Sequence, residues 1–316
     1  MSDPLSPARS SIQRLSARAH AADGSPPFSD GALVELAQGT ATLVWLDEAA
    51  AIVTPAAAEF VVDPDARRRG LGTRMLELLT SQAPGDLLFW AHGDHPGARA
   101  LAASHRLTAV RELLHLEAAV SAAAPPAAAP LPAAPLPAAP LPTIENATFA
   151  GSEGSQAAKV AFSAQLGGEI GPIRLPEEAA GLLSLNARAF AGHPEQGRMT
   201  LADLETTMSE PWFDPDDLLV LRDGSTIIGF CWLKVDAPAD EALEGEFYVI
   251  GVDPDRQGER LGRRLVNAGM ARLWSRGIHI AHLYVEGDNA PALRLYRGFG
   301  FTNRSVDVQY RWAAEA

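Results

Sequence analysis

Two glycine-containing turns are the segments of this chain whose residue types best suit chemistry. One reads Arg67-Arg68-Arg69-Gly70-Leu71-Gly72-Thr73 and the other Gln257-Gly258-Glu259-Arg260-Leu261-Gly262-Arg263. Each follows a Val-Asp-Pro-Asp block, at 62–65 and 252–255, and each precedes an amphipathic stretch. The first backbone N–H groups of a helix have no partner inside it and point outward together. Small residues let such a backbone come close to a ligand. A turn of this kind suits a pyrophosphate. One glycine turn alone would favour an ordinary strand-to-helix connection; its recurrence in both halves favours anion binding.

A second block also recurs. Phe89-Trp90-Ala91-His92-Gly93-Asp94-His95 corresponds to Leu283-Tyr284-Val285-Glu286-Gly287-Asp288-Asn289. The copies lie 190 residues apart at the Asp-Pro pair and 194 apart at the second block. A duplicated domain accounts for this better than chance.

The elements that must position these turns are readable around the second copy. Phe247 to Val252 is a short apolar run suited to a buried strand. Leu261, Leu265, Gly269 and Leu273 recur every four residues on the helix after it. Ile278 to Val285 reads as the next strand and Asn289 to Arg297 as the next helix. Upstream, Asp223-Gly224 between apolar runs predicts a hairpin. Pro176-Glu177-Glu178 and Thr200 with Asp203 mark two helix starts. The order predicts a mixed α/β class. Residues 121–142 are a low-complexity Ala/Pro stretch, a semi-rigid spacer that falls between the copies. The boundaries expected are therefore a first domain at 1–118, a linker at 119–142 and a second domain at 143–316.

Bulk properties narrow the function. A length of 316 residues suits two domains of ordinary size. A net charge of −13 argues against nucleic-acid binding, which needs a basic face. No stretch reads as a membrane span, since proline interrupts the Ala-rich segment, and the polar first thirty residues lack a signal-peptide core. The single cysteine, Cys231, forms no intrachain disulfide and suits a reducing compartment, so a cytoplasmic protein is expected; a monomer is expected as well. The eight histidines show no metal-ligand spacing, and no metal is expected.

Both halves resemble GNAT acetyltransferases, whose acetyl-CoA motif is Arg/Gln-x-x-Gly-x-Gly/Ala. Arg67-x-x-Gly70-x-Gly72 matches it; in Gln257-x-x-Arg260-x-Gly262 an arginine stands where the family usually has glycine. Asn289-Ala290-Pro291-Ala292-Leu293-Arg294-Leu295-Tyr296-Arg297-Gly298-Phe299-Gly300-Phe301 resembles the family's last helix and strand. The likeness is closer still to the mycothiol synthases, tandem members of that family. It is carried by His193-Pro194-Glu195-Gln196-Gly197, Trp212-Phe213-Asp214-Pro215-Asp216, Trp90-Ala91-His92-Gly93 and Gly229-Phe230-Cys231-Trp232-Leu233-Lys234-Val235. The resemblance implies two tandem domains, each a mostly antiparallel sheet flanked by helices. It implies acetyl transfer from acetyl-CoA to the cysteine amine of a cysteinyl-glucosaminyl-inositol. Ile250, Gly251 and Val252 would hold the thioester, residues Gln257 to Arg263 the pyrophosphate, and Asn289 to Arg294 a further part of CoA. In the first copy the corresponding residues are Phe60, Val61 and Val62, then Arg68, Arg69, Gly70, Leu71, Gly72 and Thr73. The implied acceptor contacts are Asp30, Glu195, Lys234, Glu246 and Tyr284.

The chemistry agrees with these assignments. An α-amino group has an ordinary pKa of about 7.7–8.0, so roughly a seventh is neutral at pH 7. A carboxylate such as Glu246 suffices to take the remaining proton, directly or through a water. Tyr296 stays protonated at neutral pH and can donate to the departing thiolate. Alone, Glu246 would read as a solvated strand-edge carboxylate, Lys234 as surface charge and Cys231 as a strand-filling thiol. Aligning the copies places Ala56 opposite Glu246 and Ala102 opposite Tyr296. The first domain is therefore expected to bind CoA or be structural, and the second to catalyse. The alternatives are a GNAT enzyme for another amine, and a non-catalytic acyl-CoA-binding protein.

Overall fold

A computed structural model describes residues 6–121, 168–192, 196–235 and 244–314. The Ala/Pro spacer falls, apart from Ser121, outside the described residues. In chain order the elements are α1 (Ser6–Asp23), α2 (Asp30–Gln38), β1 (Thr42–Leu46), β2 (Ala49–Val53), β3 (Ala58–Val62), α3 (Leu71–Gln82), β4 (Leu87–Ala91), α4 (Pro96–Ser104) and β5 (Thr108–Ala119). There follow β6 (Glu169–Pro172), α5 (Ala179–Ala189), α6 (Leu201–Met208), β7 (Leu218–Asp223), β8 (Thr226–Lys234) and β9 (Glu244–Val252). The last are α7 (Leu261–Ser275), β10 (Ile280–Glu286), α8 (Ala290–Arg297) and β11 (Thr302–Trp312). The mixed α/β class is as expected.

The chain forms two compact units. The first comprises Met1–Leu116, Tyr284–Leu293 and Thr302–Ala316; the second comprises Glu117–Leu283 and Arg294–Phe301. Strands of the first unit run in the order β1-β2-β3-β4-β11-β5. Its last addition is unexpected from sequence: β11, from the end of the chain, pairs antiparallel with β4, from Val308↔Ala91 to Trp312↔Leu87. Both faces of this sheet are covered. On one, Ile12, Leu15 and Ala19 of α1 and Ala32 of α2 pack on Ala50, Ile52 and Val61. On the other, Met75, Leu76 and Leu79 of α3 pack on Ala49, Ala51, Ala58 and Phe89. Such alternation within β2 is the period of two that directs neighbouring side chains to opposite faces.

In the second unit the order is β10-β9-β8-β7-β6. Leu182 and Leu185 of α5 and Leu204 of α6 meet Leu218, Val220, Phe230, Trp232 and Val249 on one face. α7 covers the other, where Leu261, Leu265 and Leu273 are buried as their four-residue spacing predicts. The predicted hairpin is β7–β8, and Thr200 with Asp203 forms a capping box at the start of α6.

The duplicated Val-Asp-Pro block has a structural cause. Asp63 and Asp253 are both buried, and each accepts from the backbone N–H two residues on, at 3.1 Å. Each also pairs with an arginine from a preceding helix, Arg18 of α1 and Arg188 of α5. One carboxylate thus fixes the strand end, the turn and a helix in each copy.

Candidate active site

The two glycine turns have one backbone form. The first copy is left-handed at Arg68 (φ 63°) and Gly70 (φ 80°), and the second at Gly258 (φ 89°) and Arg260 (φ 59°). Glycine and arginine have exchanged places within an unchanged pair of left-handed positions. A non-glycine residue there costs about 1–2 kcal/mol, so each copy carries one strained arginine. No side chain caps α3 or α7, which leaves the cradle of backbone N–H groups to a ligand. Arg260 is exposed rather than folded into the turn. Gly262 is small for a separate reason: a Cβ there would lie 3.2 Å from Leu295 of α8.

Phosphate contact by the whole Arg67-Arg68-Arg69 run does not fit this geometry. Arg67 is held bidentate by Asp23 at 2.7 Å and donates from Nε to the Val62 carbonyl. Asp23 holds the Arg67 guanidinium above its ordinary pKa through that hydrogen bond. Arg67 therefore ties α1 to the strand end, and Arg69 donates to the Asp65 carbonyl at 3.0 Å. Arg68 and Arg69 are both exposed.

Beside each turn two parallel strands part. β10 registers with β9 only from Ile280↔Glu244 to His282↔Glu246. Past Glu246 that edge of β9 leaves the ladder, and Ile250, Gly251 and Val252 lie along it. On its other edge β9 shifts register against β8 between Trp232↔Val249 and Leu233↔Phe247, which makes Tyr248 the extra residue of a bulge. In the first unit β4 registers with β3 at Ala58↔Phe89 and Glu59↔Trp90, and Phe60, Val61 and Val62 lie beyond. The implied thioester-holding residues directly follow the point of separation in the first copy and begin four residues past it in the second.

Register also fixes which face each side chain takes. Lys234 and Glu246 are direct cross-strand partners, so they share a face. That face is the one covered by α5: the Lys234 ammonium lies 5.6 Å from the Trp212 ring centre, and Trp212 packs at 5.4 Å from Tyr248 and 6.1 Å from Trp232. Cys231 takes the opposite, α7 face, where it lines the space beside Gly269. Tyr296 belongs with it. Burial of the phenol end, then the neighbouring Cys231, push the Tyr296 pKa above the ordinary tyrosine value. Glu246 and Tyr296 therefore lie on opposite faces of the sheet, Tyr296 beside Phe301, which packs on Phe247 of the α7 face. Cys231 itself is fully buried and its thiol is pushed up by that burial, which fits a filling role and not a nucleophile.

The remaining sequence-derived residues divide. In α8, Asn289 accepts from the Ala292 N–H through Oδ1 at 3.2 Å, so it also caps the helix. Arg263 lies over the Phe299 ring at 5.2 Å, and Arg294 and Gln257 are exposed. Glu195 lies outside the described residues. Asp30 is exposed on the first turn of α2, whose N-cap is Ser29. Tyr284 is 49% exposed, and its ring stacks on His115 at 4.4 Å. Ala56 lies exposed in the turn before β3, and Ala102 is buried in α4.

Sequence reasoning missed one buried cluster of the first unit. Ser29 donates to Glu59 from its backbone N–H and its hydroxyl, both at 2.7 Å. His92 Nε2 lies 3.5 Å from Glu59 Oε2, an ion-pair distance without good hydrogen-bond direction, and Nδ1 lies 2.9 Å from Asp307 Oδ2. The Gly93 N–H donates to Asp307 Oδ1 at 2.8 Å. Burial lowers the His92 pKa, but the hydrogen bond to Asp307 and the nearby Glu59 and Asp307 charges outweigh it and raise it to about 9. His92 is thus a cation between two carboxylates at neutral pH. Its place in the recurring Trp90-Ala91-His92-Gly93 block was the available signal; Asp307, 215 residues away, gave none.

A left-handed turn with no side-chain cap at a helix start, a bulged strand that leaves its parallel neighbour, and a half-buried tyrosine on the next helix fit an acetyltransferase of the GNAT fold. The acetyltransferase (GNAT) family model matches residues 184–301. Two solved structures show the same fold along nearly the whole chain. A GCN5-related N-acetyltransferase from Sphaerobacter thermophilus has a TM-score of 0.58 at 19% identity, covering 96% of this chain and 91% of that one. A tandem GNAT protein from the clavulanic acid biosynthesis pathway has a TM-score of 0.57 at 17% identity, covering 98% and 96%. Closer relatives are mycothiol acetyltransferases. That of Clavibacter michiganensis subsp. michiganensis (strain NCPPB 382) is 41% identical over 315 residues, 96% of this chain and 90% of the relative. That of Sanguibacter keddieii is 39% identical over 324 residues, 96% of this chain and 93% of the relative. The chain belongs to the mycothiol acetyltransferase family. Among the described residues no helix is long and apolar enough to cross a membrane, and no group of three His, Cys, Asp or Glu could hold a metal ion.

Proposed function

We propose that this chain transfers the acetyl group of acetyl-CoA to the cysteine amine of a cysteinyl-glucosaminyl-inositol, giving mycothiol and free CoA. The observation that carries the reading is the two-sided arrangement around the β9–β10 parting, with Glu246 and Lys234 on one face and the cradle and Tyr296 on the other. Acetyl-CoA fits the second side: the turn at 257–263 takes its pyrophosphate, and the edge at Ile250, Gly251 and Val252 takes its pantetheine and thioester amides. Backbone N–H groups of that edge stabilise charge developing on the acetyl oxygen. The amine comes from the other side. Glu246 takes its proton, the nitrogen bonds to the acetyl carbon, the carbon–sulfur bond breaks, and Tyr296 donates its proton to the CoA thiolate. Asp30, Glu195, Lys234 and Tyr284 keep the acceptor role that the resemblance implies.

The first copy, 1–118, is proposed to bind acyl-CoA through 60–62 and 68–73 without catalysing, since Ala56 and Ala102 supply neither base nor acid. The second copy, 143–316 beyond the 119–142 linker, carries the reaction. The buried, reduced Cys231 suits a cytoplasmic enzyme. Incubation with acetyl-CoA and the cysteinyl pseudodisaccharide, followed by mass spectrometry, tests the reading. The expected product gains one acetyl group on nitrogen and keeps its thiol free. Faster acetylation of an unrelated amine, such as a peptide N-terminus, would overturn the substrate, and acetyl-CoA binding with no product on any amine would overturn catalysis.

A further inference from the structure

We infer that Glu59, His92 and Asp307 form a positioning network for the acceptor amine's substrate, holding Asp30 at one end and Tyr284 at the other. The inference rests on the proposed acceptor role of those two residues, and all the groups concerned belong to the first unit.

At one end, Glu59 takes both donors of Ser29, and Ser29 Oγ accepts from the Ala32 N–H at 3.1 Å as the N-cap of α2. Asp30 is the first residue of that helix. Its place is therefore set by a buried carboxylate that is only 4% exposed and that His92 neutralises. In the middle, His92 joins Glu59 on β3 to Asp307 on β11, two strands brought together around β4. At the far end, the His115 imidazole lies near enough to Asp307 to favour its ionised form, and its ring stacks on Tyr284. The β10 end that carries Tyr284 is tied to β5 twice more, by the Gly287 N–H to the Glu112 carbonyl at 2.8 Å and by Arg111 on Glu286 at 3.0 Å. Stacking thus sets the tilt of the Tyr284 ring on a strand end already fixed in place.

A carboxylate pair with Glu59 buried and Asp307 half-buried would hold these elements badly without its cation, because unpaired buried charge is costly. The arrangement is also more than core filling. Apolar packing already joins α1 and α2 to the sheet, and both ends of the network reach exposed residues. The proposed base and acid, Glu246 and Tyr296, belong to the second unit and the network to the first, so the effect expected is on acceptor binding and not on the chemical step.

The experiment measures kcat and both KM values for His92→Gln and Asp307→Asn, with Asp30→Ala and Tyr284→Ala as references and thermal melts as a check on folding. The expected result is an acceptor KM raised about tenfold or more by His92→Gln, with kcat and the acetyl-CoA KM changed less than about threefold. In a double variant, His92→Gln with Asp30→Ala, the effects should be less than multiplicative, because the network acts through that residue. Asp307→Asn, which keeps size and one acceptor for the Gly93 N–H, should show the same split at smaller amplitude; it decides the matter if His92→Gln does not fold. An unchanged acceptor KM in folded His92→Gln and Asp307→Asn, while Asp30→Ala and Tyr284→Ala raise it, would overturn the network alone. Equal losses in every parameter would also overturn it, as a merely structural role. If Asp30→Ala and Tyr284→Ala leave the acceptor KM unchanged, the acceptor reading of those residues fails first and takes the network with it.

Discussion

The two copies share a backbone and differ in what it carries. Both have a Val-Asp-Pro strand end clamped by an arginine, both have two left-handed residues in the turn, and in both a parallel strand pair parts just before the apolar edge. The second copy adds length and a bulge. β9 has nine residues against five in β3, and the extra reach puts Glu246 inside a strand where its counterpart Ala56 lies in a turn. In the first copy the carboxylate at the parting is Glu59, buried and committed to Ser29 and His92. In the second copy the carboxylate at that position is Glu246, the base proposed for the reaction. The comparison teaches that the form of the turn is a property of the fold, retained in both copies although glycine and arginine change places.

The largest test of that contrast is to remove the base. Glu246→Gln should lower kcat by about 10²–10⁴-fold while acetyl-CoA binding, followed by calorimetry, stays near wild type. Next is the acid. Tyr296→Phe should cost about 10²-fold in kcat, with a smaller loss for acyl donors that have better leaving groups.

The first copy makes a different prediction, about stability. The His92 pKa of about 9 lies above its ordinary 6.5, so the folded state binds the proton more tightly. Its contribution, on the order of 3 kcal/mol, is fully present below about pH 6.5 and is lost as pH rises through about 9. Urea unfolding across that window should show the decline, and His92→Gln should flatten it. The smallest effect concerns the exchanged glycine. Arg260→Gly should remove left-handed strain of about 1 kcal/mol, offset in part by glycine's backbone entropy, and leave melting within a few degrees. It should also raise the acetyl-CoA KM a few-fold and weaken its salt dependence, since the exposed guanidinium then no longer adds to the phosphate field.

Much of this was legible in the sequence, because it is local. The turns, the amphipathic spacing of α7, the β7–β8 hairpin and the α6 capping box depend on residues a few positions apart. α1 was not foreseen: Ile12, Leu15 and Ala19 are buried, but they stand in a polar stretch with no strong start signal. The bulge at Tyr248 was hidden as well, because it exists only in the register between two strands. The pairing of β11 with β4 and the Asp307–His92 contact join residues more than two hundred positions apart, which no local pattern encodes. Arg67 misled for a related reason: its partner Asp23 sits on a helix the sequence did not reveal.

The central claim is that the second copy alone carries the acid and the base. It is tested most directly by the single-turnover rate of acetyl transfer from saturating acetyl-CoA to the cysteinyl pseudodisaccharide in Glu246→Gln, with calorimetry on the same preparation confirming that acetyl-CoA still binds. The account predicts a rate at least about 10²-fold below wild type. A wild-type rate in that variant would contradict it.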